Sequence, residues 1–151
     1  MRLSTKGRYG VKAMFDLALH YGEGPVSLSH ISVRQDISLS YLEQLFALLR
    51  KEGLVSSIRG AQGGYVLKVP PDKITVGTVL NILEGTLAPV ACVSKGHHQH
   101  CSKSGECVTR RVWEDIHQSV TQVVEGITLQ DMVNDHLNLK TIQSPSEGAS
   151  S

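Results

Sequence analysis

No apolar run in this 151-residue chain approaches the roughly 20 residues that a membrane span needs, which argues against a transmembrane protein. Met1 to Gly10 carries Arg2, Lys6 and Arg8 but no apolar core, so a secretory signal is not expected and a cytoplasmic location is. Cysteine is scarce and odd in number, three in all. That speaks against a disulfide scaffold and for metal or redox chemistry in a reducing compartment. A large net charge is missing too. The formal value is +1, which by itself weighs weakly against a nucleic-acid partner. Gly60 to Gly64 lacks the Lys-Ser/Thr of a phosphate-binding loop, and no nucleophile–base constellation is present, so an enzyme is not expected. There is no internal repeat. Hydrophobic residues make up 40% of the chain, enough for a core. The length suits one domain of about 100–150 residues, or a small domain with an appendage.

The near-zero charge conceals an asymmetry. Met1 to Lys73 holds ten Lys/Arg against six Asp/Glu, a net of +4, and Ile74 to Ser151 holds five against eight, a net of −3. The first half can meet phosphate, and the second would face away from it.

Helical periodicity predicts a first helix over Arg8 to Tyr21, with Val11, Met14, Phe15, Leu17, Ala18 and Tyr21 inward. Leu3 to Lys6 before it reads as a short strand or arm. Ser27 suits the N-cap of a second helix with Leu28 and Ile31 inward. Asp36 leads into a third, striped by Leu39, Leu42, Leu45, Phe46 and Leu49. Ser40 with Glu43 has capping-box spacing, Ser38 competes as the cap, and Gly53 suits the position after the helix. The period then changes. Leu54 to Ile58 and Tyr65 to Val69 read as strands around the glycine-rich tip Arg59 to Gly64. Thr75 can cap a fourth helix that ends at Gly85. Thr86 to Glu106 has no period. Residues 107–126 form the longest helical candidate, and Thr128 with Asp131 opens a short last helix. From 138 to 151 the chain is polar and Ser-rich, a disordered tail. The expected organisation is a winged helix-turn-helix domain at 1–73, a helical region at 74–137 and that tail. The fold class is mainly α with a small β-hairpin wing.

Three short helices and a Gly-tipped hairpin suggest DNA. With the Leu stripe of the third helix buried, Ser40, Tyr41, Glu43, Gln44, Ala47 and Lys51 lie on or near its outer face. Ser, Tyr and Gln can contact phosphates or base edges; Gln pairs with adenine, and Glu accepts from cytosine N4. Arg59 opens the wing tip, where an Arg can enter a narrow minor groove, and Gly60 lets the backbone approach closely.

Cys92, Cys101 and Cys107 follow a C-x8-C-x5-C spacing. Their thiolates can converge only if the loop at 92–107 folds back, and Gly96 and Gly105 permit that. Soft thiolates select zinc, Cu(I) or an iron–sulfur cluster. No C-x2-C occurs, so the zinc-ribbon pattern is absent. His97, His98, His100, Glu106 or a group elsewhere can supply a fourth ligand. Free thiols, or two of the three in a redox disulfide, are the plainer alternatives. The stripe of the long helix, Val108, Val112, Ile116, Val120, Val123, Val124 and Ile127, exceeds what a small winged helix can cover. Pairing two copies would bury it and set two recognition helices on one face of DNA.

Three stretches carry a resemblance: Met1-Arg-Leu-Ser-Thr-Lys-Gly-Arg-Tyr, Ile37-Ser-Leu-Ser-Tyr-Leu-Glu-Gln-Leu-Phe, and Gly53-Leu-Val-Ser-Ser-Ile-Arg-Gly with Gly63-Gly-Tyr. They resemble the IscR-type iron–sulfur cluster regulators, in the superfamily that also holds NsrR and CymR, and the similarity runs through Trp113 to about Leu137. The resemblance implies a homodimeric winged-helix regulator of cluster-biogenesis genes, with a double-stranded DNA operator and the cluster donor machinery as partners. It implies DNA contact by Ser38, Ser40, Tyr41, Glu43, Gln44 and Arg59, with Glu43 coupling cluster state to operator choice. It places a [2Fe–2S] cluster on Cys92, Cys101 and Cys107. Two departures stand out. The first Cys gap is long, and the family's histidine three residues after the last cysteine is replaced by Arg110, whose guanidinium is no iron ligand. His100, His97 and His98 are then the candidates for the fourth position, with His100 favoured as the neighbour of Cys101. A nitric-oxide-sensing repressor of the NsrR type with a [4Fe–4S] cluster and a zinc-stabilised module without sensing are the alternatives.

Overall fold

The computed structural model describes residues 3–85, 87–88 and 108–143. In chain order, the helices α1 (Thr5–Leu19), α2 (Leu28–Gln35) and α3 (Leu39–Lys51) precede the strands β1 (Val55–Ile58) and β2 (Gly64–Leu67). A 3-10 turn at Pro71–Lys73 leads to α4 (Val76–Glu84), α5 (Val108–Glu125) and α6 (Leu129–Gln143). The fold is mainly helical with one small antiparallel hairpin, as expected from the sequence.

Local chemistry sets the ends of the helices. The Ser27 side chain accepts from His30 N at 3.3 Å and opens α2. Asp36 ends α2 rather than leading into α3: it sits in the left-handed region at φ 54°, which a short polar side chain tolerates. Ile37 N–H then returns to Ser32 O at 3.2 Å, and Ser32 Oγ donates to Ile37 O at 2.6 Å. Ser38, not Ser40, caps α3, its hydroxyl accepting from Tyr41 N at 3.3 Å. Arg50 and Lys51 in the last turn complement the carbonyl end of the helix dipole. Tyr21 lies past the end of α1 and is exposed, and Leu39, in the first turn of α3, also faces solvent.

The core gathers Met14 and Leu17 of α1, Ile31 of α2, and Leu42, Leu45, Phe46 and Leu49 of α3. The hairpin register pairs Val55 with Leu67, both buried, so one face of the wing base joins that core. Tyr65 stacks its ring on Phe46 at 4.9 Å and exchanges two backbone bonds with Val26, at 2.8 and 2.9 Å. The hairpin is thereby tied to the segment that opens α2. Among the described residues, Asp16 is the buried charge, 1% exposed. Arg34 grips its carboxylate with two bonds, at 2.7 and 3.0 Å, and Gln35 adds one at 3.0 Å. This pins α1 to α2.

The core continues past Lys73. Ile74, Val79 and Leu83 join the same cluster, as do Leu129 and Val133 of α6. Thr75 caps α4, accepting from Thr78 N at 3.0 Å. Val76 N–H donates to Ile127 O and Leu129 N–H to Ile74 O, fastening the α5–α6 junction to the start of α4. Thr128 and Asp131 form the expected reciprocal capping box, each backbone N–H donating to the other's side chain at 2.9 and 3.0 Å. α6 continues to Gln143, so residues 138–143, expected in the tail, are helical. Extending an existing helix adds a hydrogen bond per residue without a new nucleation cost, and polar residues suffice for it. Residues 144–151 lie outside the described residues. By contrast, α5 buries none of its residues within the chain. No helix among the described residues is long and apolar enough to cross a membrane.

Candidate nucleic-acid interface

The interface begins with what α3 leaves outside once Leu42, Leu45, Phe46 and Leu49 are buried. Ser38, Ser40, Glu43 and Gln44 are exposed on or beside its outer face. Among the described residues, the side chains of Glu43, Gln44 and Arg59 take part in no hydrogen bond or ion pair. Their polar atoms are thus available to an external partner.

Tyr41 is different. It is half-buried, its hydroxyl lies 3.1 Å from Thr5 Oγ1, and its ring meets Tyr9 edge-on at 5.9 Å and 87°. Lys12 Nζ lies 5.9 Å from the Tyr9 ring centroid. The first turns of α1 therefore hold one side chain of the candidate interface. Sequence reading missed Thr5, Tyr9 and Arg50, whose Nη1 reaches Ser57 Oγ of the wing at 3.5 Å. Tyr9 and Tyr41 are separated by the rest of α1 and all of α2, so no local spacing joins them.

The wing tip places Arg59 and Gly60 in solvent. Gly60 has φ 118°, a conformation L side chains rarely adopt, and Gly63 N–H closes the turn on Gly60 O at 3.0 Å. At Gly64 a Cβ would stand 2.3 Å from Val26 O, so only glycine lets the hairpin approach the α2 segment. Glycine thus shapes the tip, and Arg59 supplies its charge.

The α1 N-terminus is capped by a distant carboxylate. Glu84, at the end of α4, accepts from Ser4 N at 2.9 Å, Ser4 Oγ at 2.6 Å and Gly7 N at 3.0 Å. This is why Leu3 to Lys6 is not an arm: the acceptor that starts α1 at Thr5 comes from far along the chain. Desolvation raises the Glu84 carboxyl, but the bonds from Ser4 and Gly7 and the charge of Lys6 outweigh it and hold it below 4.5.

Cys92, Cys101, Cys107, His97, His98 and His100 all lie outside the described residues. Among the described residues no group of three or more His, Cys, Asp or Glu is placed to hold a metal ion. Arg110, where the resemblance would place a histidine, forms an ion pair with Glu114 one turn along α5, Nε to Oε1 at 3.0 Å.

A helix-turn-helix with an outward polar face on its third helix and a hairpin wing defines a winged-helix DNA-binding regulator. Residues 3–135 match the Rrf2 family, described as an iron-dependent transcriptional regulator. The HTH-type transcriptional regulator IscR of Aliivibrio salmonicida is 46% identical over 136 residues, 90% of this chain and 79% of that one. The structure of T. potens IscR has 49% identity and a TM-score of 0.74, covering 90% of this chain and 88% of that one. CymR, the global cysteine regulator of B. subtilis, has 42% identity and a TM-score of 0.75, covering 89% and 97%. The chain belongs to the Rrf2 family of transcriptional regulators. It is a regulator, like its named relatives, and not an enzyme.

Proposed function

We propose that this regulator binds a double-stranded DNA operator as a homodimer and matches its choice of operator to an iron–sulfur cluster held by Cys92, Cys101 and Cys107. The observation that carries the DNA contact is the α3 surface: Glu43 and Gln44 exposed without side-chain partners among the described residues, on a helix whose other face is locked into the core. Ser38 and Ser40 at its start, Tyr41 beside them, and Arg59 with Gly60 at the wing complete the contact set.

Three thiolates in one short segment form the soft donor set that a [2Fe–2S] cluster takes. Such a group supplies a centre responsive to iron supply and redox state. Arg110 is paired with Glu114, and a guanidinium offers iron no acceptor atom, so the fourth ligand falls to the loop histidines, His100 first and then His97 and His98. Delivery of the cluster needs the donor machinery of the cytoplasm, and the genes controlled are those of cluster biogenesis. The exposed stripe of α5, Val112, Ile116 and Val123, supports pairing with a second copy.

Anaerobic purification with visible spectroscopy and metal analysis tests this. Iron with sulfide in a coloured protein, lost when Cys92, Cys101 and Cys107 become Ser, is the expected result. Zinc without iron, or a colourless protein that gains no absorption on reconstitution, would overturn it. A [4Fe–4S] spectrum bleached by nitric oxide would favour the NsrR-type reading.

A further inference from the structure

We infer that Glu84 is a positioning residue for DNA recognition: it fixes the start of α1, and through α1 the Tyr41 phenol on the DNA-facing helix. The inference rests on the DNA-binding reading above. Ser4 is the N-cap residue of α1, yet its hydroxyl makes no capping bond of its own. The capping acceptor is instead a single oxygen of Glu84, Oε1, which takes three donors, Ser4 N, Ser4 Oγ and Gly7 N. A full negative charge at a helix start is favourable against the exposed N–H groups, and it is stronger there than a neutral hydroxyl.

The backbone makes room for this contact. A Cβ at Gly7 would lie 2.5 Å from Glu84 Oε1, and one at Gly10 would lie 2.0 Å from Leu83 Cδ1. Two glycines one turn apart thus let α4 lie against α1 closely enough for the carboxylate to reach. Within the same turns, Thr5 Oγ1 stands 3.1 Å from the Tyr41 hydroxyl, and Tyr9 packs edge-on against the Tyr41 ring. The connection therefore runs from the end of α4, through the α1 cap, to the one member of the DNA-facing set that is half-buried. Ser40, Glu43 and Gln44 lack such support and are exposed. α4 is also the helix that joins the winged helix to the segment carrying Cys92.

A double-mutant cycle tests the inference, using the full-length protein and a duplex enriched from a random library by the wild type. Dissociation constants are measured for the wild type, Glu84→Ala, Tyr41→Phe and the double variant, with unfolding midpoints in the same buffer. Each single change is expected to weaken binding about tenfold, with the double variant no weaker than Tyr41→Phe alone. Glu84→Gln, which keeps an acceptor for Ser4 and Gly7, should recover part of the loss. Thr5→Val leaves Glu84 intact and should weaken binding with little change in unfolding midpoint. This variant carries the test if Glu84→Ala folds poorly. Additive losses, or a Glu84→Ala protein with a lowered midpoint and unchanged affinity, would overturn the inference. So would a Thr5→Val protein with wild-type affinity. If the wild type enriches no duplex, the DNA-binding reading itself fails, and the two failures are thereby told apart.

Discussion

Asp16 is a buried carboxylate held by Arg34 and Gln35. Burial pushes its carboxyl up, but hydrogen bonds from Arg34 and Gln35, with the charges of Arg34 and His20, outweigh burial and hold it below 3.8. A carboxylate whose folded value is depressed stabilises the fold above its unfolded value, and that contribution is lost as pH falls through the folded value. Glu84 shifts in the same direction from 4.5. The unfolding midpoint should therefore decline as pH drops below about 4, and Asp16→Asn should flatten that decline in calorimetric scans. At neutral pH, Asp16→Ala should cost about 2 kcal/mol in urea titration: Arg34 loses its partner but, being partly exposed, can turn to water. Arg59→Ala removes no contact within the chain, so stability should hold while affinity falls, most at operators with a narrow minor groove. Filter-binding on A-tract and mixed-sequence duplexes checks this, and equal losses on both would reject the wing's role. Of these residues, Arg59 was legible from its place before a glycine run. Asp16 was not, because its partners lie on α2, and an acidic residue within a helix reads as solvent-facing.

At the scale of elements, local reading located every α-helix among the described residues but not the 3-10 turn at Pro71–Lys73, and the helix ends show where it stops. Ser27, Thr75 and the Thr128–Asp131 box cap as their spacing implied. The start of α1 was misplaced, and the cap of α3 was left open, for different reasons. The first depends on Glu84, a contact between residues about 80 apart in sequence. The second was a choice between two serines; Ser38 takes the extended position and its hydroxyl accepts from Tyr41 N. The stripe of α5 was legible as apolar, but among the described residues nothing buries it: Val108 is 76% exposed and Val123 60%. Replacing Val112 and Ile116, one turn apart, with Asp should convert a dimer to a monomer in sedimentation analysis. Helicity should be nearly unchanged, since neither side chain is buried within the chain. A dimer that persists would assign pairing to another surface.

For the whole molecule, the near-zero charge combines a basic and an acidic region. The basic half contains α1–α3 and the wing, where phosphate would lie. The acidic half contains α5, α6 and the three cysteines. The core crosses between them, because α4 and α6 complete the packing of α1. A cluster alters operator choice only if its loaded and empty states differ in affinity for particular sequences. The most direct test is parallel selection of duplexes, without oxygen, by cluster-loaded protein and by a variant with Cys92, Cys101 and Cys107 changed to Ser. The two should share one class of operator, and the loaded protein should enrich a second class that the variant does not bind. Identical operator profiles would contradict cluster-controlled recognition.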